Sequence, residues 1–132
     1  MKRTIAAAFL YGLLALPTFA ASPTINAAEK ASLQAAMFQH IDRQLIQGSF
    51  LHVDFKGGVV EKLSPAKAHP MMLKLGNHYV LWTSFRCADG KDVNVDFYAA
   101  RSDGGYSIFH TVIDNRGPLM ALIKAGKVKP IK

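Results

Sequence analysis

Asp96, Tyr98 and His110 are residue types that can do acid–base chemistry. A carboxylate that takes a proton, beside a phenol or imidazole that polarises a carbonyl, is the equipment of an isomerase or dehydratase, provided all three converge on one pocket. The competing assignment for Asp96 is a solvated carboxylate held between the hydroxyls of Thr83 and Thr111, a common cross-strand arrangement. A second group, His69, Met71, Met72, His78 and Trp82, gathers around one expected hairpin. Thioether and imidazole donors suit a copper(I) carrier. Methionine and tryptophan are also ordinary filler for a packed sheet face, and packing is the better account here. Nucleophilic catalysis by Cys87 would need a histidine in reach and a lowered thiol pKa. The expected hairpin puts Asp92 opposite Cys87, and a carboxylate disfavours a thiolate. His40, and His52 beside Asp54, are taken as packed or surface histidines. A single cysteine forms no internal disulfide, and the absence of any CxxC or Cys/His run excludes a zinc ribbon or dithiol redox site. These residues therefore nominate no catalytic group, no metal ligand and no cofactor.

The elements that must position these side chains follow from periodicity. Asn26 with Glu29 three residues on is a helix cap, and Leu33, Met37, Phe38, Ile41 and Leu45 recur at helical spacing until Gly48, predicting one amphipathic helix. Beyond Gly48 the period changes to two. Turn signals follow at Gly57-Gly58, Ser64-Pro65, Gly76-Asn77, Asp89-Gly90 and Asp103-Gly104-Gly105, so an antiparallel meander is predicted. Asn115 as a cap, Pro118 in a first turn and the apolar Leu119, Met120, Leu122 and Ile123 before Gly126 predict a short terminal helix. The fold class is α+β: a long N-terminal helix on a curved meander, with a short C-terminal helix.

Two-residue loops fix register. With Gly76-Asn77, Asp89-Gly90 and Asp103-Gly104 as central pairs, Met71 lies opposite Trp82, Trp82 opposite Phe97, and Phe97 opposite His110. That face also collects Leu73, Val80, Val95, Ala99, Ile108 and Val112, and is the one the long helix should cover. The other face carries Met72, Leu81, Phe85, Asp96, Tyr98, Phe109 and Thr111. It is too apolar for plain solvent surface and too polar for a core, so Leu81, Phe85, Asp96, Tyr98, Phe109 and Thr111 form the candidate partner or ligand face. A bulged last turn would instead bring His110 to Asp96.

The first residues bear on location. Lys2 and Arg3, an apolar run from Ile5 to Leu16, Pro17 and the small-residue exit at Ala20 have the form of a cleaved signal peptide over residues 1–20. The run is shorter than the ~20 apolar residues a membrane anchor needs. An exported domain over residues 21–132 is expected, in the periplasm or secreted, where neither ATP nor NADH serves as cofactor. Without Lys2 and Arg3 the net charge falls from +7 to +5, and Lys124, Lys127, Lys129 and Lys132 crowd the end of the chain. Such a tail makes at most weak contact with anionic membrane surface, and a frayed, solvated terminus is the expectation. Cations are not interleaved with aromatics along one element, so nucleic-acid binding is disfavoured.

A helix cradled by a curved meander, spanning Asn26 to about Ile123, resembles the cystatin-like and nuclear-transport-factor-2-like folds, which supply many small exported proteins. The Gln-x-Val-x-Gly loop of cystatin inhibitors has no counterpart near Gly57-Gly58, so the resemblance implies a fold and no site residues. The function expected is a non-enzymatic binding or accessory module that meets a protein partner or a second copy of itself. The alternative is a pocket for a small apolar ligand, with or without isomerase or dehydratase activity.

Overall fold

The computed structural model describes residues 23–132, and the expected signal peptide lies outside them. The first element, α1, runs Ala27–Gln44; Asn26 Oδ1 accepts a hydrogen bond from the Glu29 N–H at 2.8 Å, as the capping pattern predicts. Its apolar stripe buries Leu33, Ala36, Met37 and Ile41. The strands are β1 (Leu45–Ile46), β2 (Ser49–Asp54), β3 (Val59–Ala68), β4 (Leu73–Leu75), β5 (His78–Arg86), β6 (Asp92–Ser102) and β7 (Gly105–Ile113). The short helix α2 (Gly117–Lys124) and a last strand, β8 (Val128–Pro130), follow. Among the described residues all strand pairings are antiparallel, in one sheet of eight strands. This is the α+β class expected, a helix on an open sheet.

Strand β5 is the spine. Strand β6 runs along one of its edges, while β3 and β4 share the other, meeting its C-terminal and N-terminal halves respectively. Ser64-Pro65, expected as a turn, lies inside β3. Proline cannot donate to a ladder, and Pro65 adjoins an irregularity between Pro65 and Lys67 where the pairing shifts. Asn115 does not cap α2: Arg116 stands at the cap without a side-chain bond, and Pro118 takes the first turn as predicted. The basic tail is not frayed. It forms β8 beside β4, with Val128 buried, and Lys132 N–H donates to the Pro23 carbonyl at 3.2 Å.

The Gly76-Asn77 hairpin has the expected register, with Leu73 opposite Val80. The next hairpin does not. Its loop is Ala88-Asp89-Gly90, closed by Gly90 N–H to the Cys87 carbonyl at 3.0 Å and by Cys87 N–H to the Lys91 carbonyl at 2.8 Å. Gly90 sits at φ 86, the left-handed residue that ends such a loop. The extra loop residue slides β6 by one position, so Trp82 faces Asp96 and Leu81 faces Phe97. Strand β7 begins in the expected register, Ala99 opposite Ile108, and then bulges at Phe109, so His110 faces Tyr98 instead of Phe97.

Because side chains alternate, these one-residue shifts re-sort the faces. Helix α1 covers Tyr79, Leu81, Phe85, Val95, Phe97 and Ala99, which with Leu33, Met37, Phe50 and Leu63 make the main core. The opposite face presents Val80, Trp82, Asp96 and Tyr98, over which α2 lays Leu119 and β8 lays Val128. The sheet is thus helix-covered on both sides. Trp82, expected beneath the long helix, lies under the short one.

Candidate functional site

The six residues expected on one partner face are divided by the sheet. Leu81 and Phe85 are core residues on the α1 side, and Thr111 faces the same way because it pairs with Phe97. Asp96, Tyr98 and Phe109 remain together on the other side, joined by His110 and Trp82. The physical cause of the correction is the extra residue in the Ala88-Asp89-Gly90 loop, with the Phe109 bulge carrying His110 across. Thr83 is on the α1 side and donates its hydroxyl to the Lys67 carbonyl at 2.7 Å, so the cradle of Thr83 and Thr111 around Asp96 does not form.

Asp96 is 1% exposed. A buried carboxylate is costly unless paired, and its partner is Arg116, whose Nη2 and Nε donate to Oδ1 at 2.8 and 3.3 Å. The guanidinium carbon lies 4.8 Å from the centre of the Trp82 ring, adding a cation–π contact. His69 stacks on Trp82 at 5.6 Å, with its Nε2 3.2 Å from Ser84 Oγ. Arg116 immediately precedes α2, so the ion pair fastens that helix to the sheet. Nothing in the spacing around Arg116 announces this; only an unpaired carboxylate on an apolar strand calls for a cation somewhere.

Toward the other end of this face, the Tyr98 ring is 5.4 Å from His110 and 6.5 Å from Phe109, and Phe109 meets His78 edge-on at 5.4 Å. Burial first, and then the Asp96 charge, push the Tyr98 phenol above its ordinary value, with Arg116 pulling the other way. Asp96, Tyr98 and His110 therefore share a face, yet Asp96 is covered by its arginine. Five surface clefts of about 250 to 610 Å³ are open, and none is lined by Asp96, Tyr98 or His110. The convergence that proton abstraction requires is missing from all five.

The soft-donor group is dispersed. His69 lies beside Trp82 and His78 opposite Leu75, about 13 Å apart along β5 at ~3.3 Å per residue. Met72 is buried in the main core while Met71 is exposed. Among the described residues no three His, Cys, Asp or Glu side chains are grouped to hold a metal ion. Cys87 faces Lys91, not Asp92, which pairs with Arg86 at 2.9 Å. Burial, then the charges of Asp89, Glu61, Asp114 and Asp92, push its thiol up, away from nucleophilic use.

Compared with protein-family models, curated proteins and solved structures, the chain matches none of them. None of these comparisons supports the resemblance to cystatin-like or nuclear-transport-factor-2-like folds expected from the sequence; what the structure shows is the α+β arrangement of a helix on a sheet.

Proposed function

We propose that the protein is a small exported binding or accessory module that performs no chemistry of its own and meets its partner on the outer sheet face around Phe109. One observation carries this: Phe109 is 56% exposed, held out by the β7 bulge and ringed by His78, Tyr98 and His110. Fully burying such a side chain stabilises by about 1.5–3 kcal/mol, a reserve that a partner surface can use. Bulges next to sheet edges recur where a side chain is aimed at a ligand. Against an enclosed pocket for a small apolar ligand stands the filled space under α1, where Leu33, Leu63, Phe85 and Phe97 are each 0% exposed.

The test has two arms in an exporting bacterial host. Export predicts a chain in the periplasmic fraction whose mass begins at Ala21; a cytoplasmic chain beginning at Met1 overturns it. For the surface, a photoreactive phenylalanine analogue replaces Phe109 in one strain and Phe38, exposed on α1, in another. A discrete adduct from position 109 alone is the expected outcome, and equal labelling at both positions, or none at 109, removes the assignment.

A further inference from the structure

A different part of the sheet carries a second surface. The β2–β3 hairpin projects beyond α1, and its outer face holds Leu51, Val53 and Val60, 36%, 44% and 60% exposed, with Phe55 90% exposed at its tip. Strand β1 pairs with β2 only at Ser49 and Phe50, so among the described residues the outer edge of Leu51–Asp54 has no strand beside it. Unlike β7, this edge has no bulge: β2 pairs with β3 without interruption from Phe50 to Asp54. It carries no lysine or proline either, the residues that usually blunt a free edge.

The direction of the free backbone groups follows from the turn. Gln47 and Gly48, at φ 50 and 79, form a primed two-residue hairpin whose closing pair, Ile46 and Ser49, is hydrogen-bonded. Bonding direction alternates along a strand, so Leu51 and Val53 direct their N–H and C=O groups outward, while Phe50, His52 and Asp54 face β3. The Gly58 N–H to Asp54 carbonyl bond, inside the hairpin, has the same phase.

We propose that the β2 edge pairs with the β2 edge of a second copy of this chain, antiparallel and two-fold symmetric, with Val53 opposite Val53. A two-fold axis normal to the sheet sets one residue opposite its own copy; Leu51 on itself would need the Ser49 and Phe50 edge that β1 occupies, and Asp54 on itself opposes two carboxylates, which leaves Val53 on Val53 or His52 on His52. The second arrangement sets Phe50, whose edge β1 already occupies, opposite Asp54 and brings two imidazoles together. The first lets the outward Val53 groups bond reciprocally, sets His52 opposite the carboxylate of Asp54, and brings Leu51 to the exposed Phe55 at the partner's hairpin tip. Both registers engage outward backbone groups, Val53 with itself in the first and Leu51 with Val53 in the second, so the edge already taken by β1 beside Phe50 and the facing of His52 by Asp54 select the first. Area is modest, so the dimer is weak and its population rises with concentration. This surface is separate from the Phe109 face, so either assignment can fail alone.

The experiment uses purified protein in a Cys87→Ser background. Val53→Cys, mildly oxidised with copper–phenanthroline, forms a covalent dimer, because an opposed hydrogen-bonded pair has Cα atoms about 5.5 Å apart, within disulfide reach. Leu51→Cys does not link to itself, its two copies being about 14 Å apart in this register. Mixed Leu51→Cys and Phe55→Cys chains do. Sedimentation equilibrium of the parent shows a monomer–dimer equilibrium, and Val53→Lys, exposed in the monomer, raises the dissociation constant at least ~10-fold. Parent protein that is monomeric at every concentration, a Val53→Cys chain that stays monomeric under oxidation, or self-linking of Leu51→Cys overturns the proposal. Should Val53→Lys lose the parent's circular dichroism, the three cysteine variants decide alone.

Discussion

Under α1 the sheet presents Leu81, Phe85, Val95 and Phe97, and under α2 it presents Val80, Trp82, Asp96 and Tyr98. The first face is closed by an 18-residue helix whose stripe matches it in length. The second is closed by an 8-residue helix. Helices that short are marginal on their own, so α2 depends on whatever ties it down. Area and shape hold the first face, where any well-fitting apolar group serves. The second adds to a smaller apolar cluster around Leu119 and Val128 one ion pair and one ring contact, and therefore leans more on particular atoms. The exposed Phe109 and its histidine neighbours belong to this second face, where polar groups and incomplete cover already coexist.

The largest break in that comparison comes from the α1 side. Phe97 is 0% exposed and packs edge-on with His40 and tilted against Phe85. Phe97→Ala leaves a cavity in a filled core and costs about 3–5 kcal/mol, read as a lowered urea midpoint at unchanged slope. A loss below ~1 kcal/mol would mean that this core is loosely packed.

Next is the α2 side. Arg116→Ala strands a buried carboxylate and costs about 3 kcal/mol, the low end for a broken buried pair because the arginine side chain is 32% exposed. The double change Asp96→Leu with Arg116→Met should recover most of that loss, since apolar replacements of an ion pair are often neutral. The same urea curves read both. If the single variant is as stable as the parent, α2 is held by Leu119 packing alone and the contrast between faces disappears.

How legible this was in the sequence divides along the same line. Helix α1 declares itself through Asn26, Glu29 and a stripe from Leu33 to Ile41, all short-range signals. The Gly76-Asn77 hairpin is equally local, and its register is the predicted one. The division of the faces is not local. It turns on whether Asp89-Gly90 is a two-residue loop or the end of a three-residue one, and both use glycine at positive φ. That single residue decided that Leu81 and Phe85 are core while Trp82 and Asp96 look outward. The Phe109 bulge has no signature in the strand's alternation, and Arg116 is recognised only once Asp96 is known to be buried. A smaller effect probes the loop: Gly90 has φ 86 and open space where a Cβ would stand, so Gly90→Ala costs only the conformational term, about 1 kcal/mol. A neutral Gly90→Ala in thermal unfolding would indicate a different loop.

The smallest effect is a pH dependence that belongs to the α1 face alone. His40 lies edge-on to Phe97 at 5.9 Å, and burial first, then the charge of Arg43, hold its pKa below the ordinary 6.5. Lowering a base's pKa in the folded state means that folding favours the neutral ring, so its contribution is present above pH 6.5 and is lost as pH falls through the folded value. Glu29 is held low by its hydrogen bond to Arg101, and Asp92 by its bond to Arg86. Their contributions are present above about 4.5 and 3.8 and are lost only as pH falls further, so the windows separate. Water reaches the His40 ring and screens it, which keeps the effect to about a few tenths of a kcal/mol. Between pH 7.5 and 5 the parent should therefore lose slightly more stability than His40→Gln, measured as the difference between their melting curves. A difference that stays flat across that interval would mean that the imidazole is fully solvated, with no burial beside Phe97 to favour its neutral form.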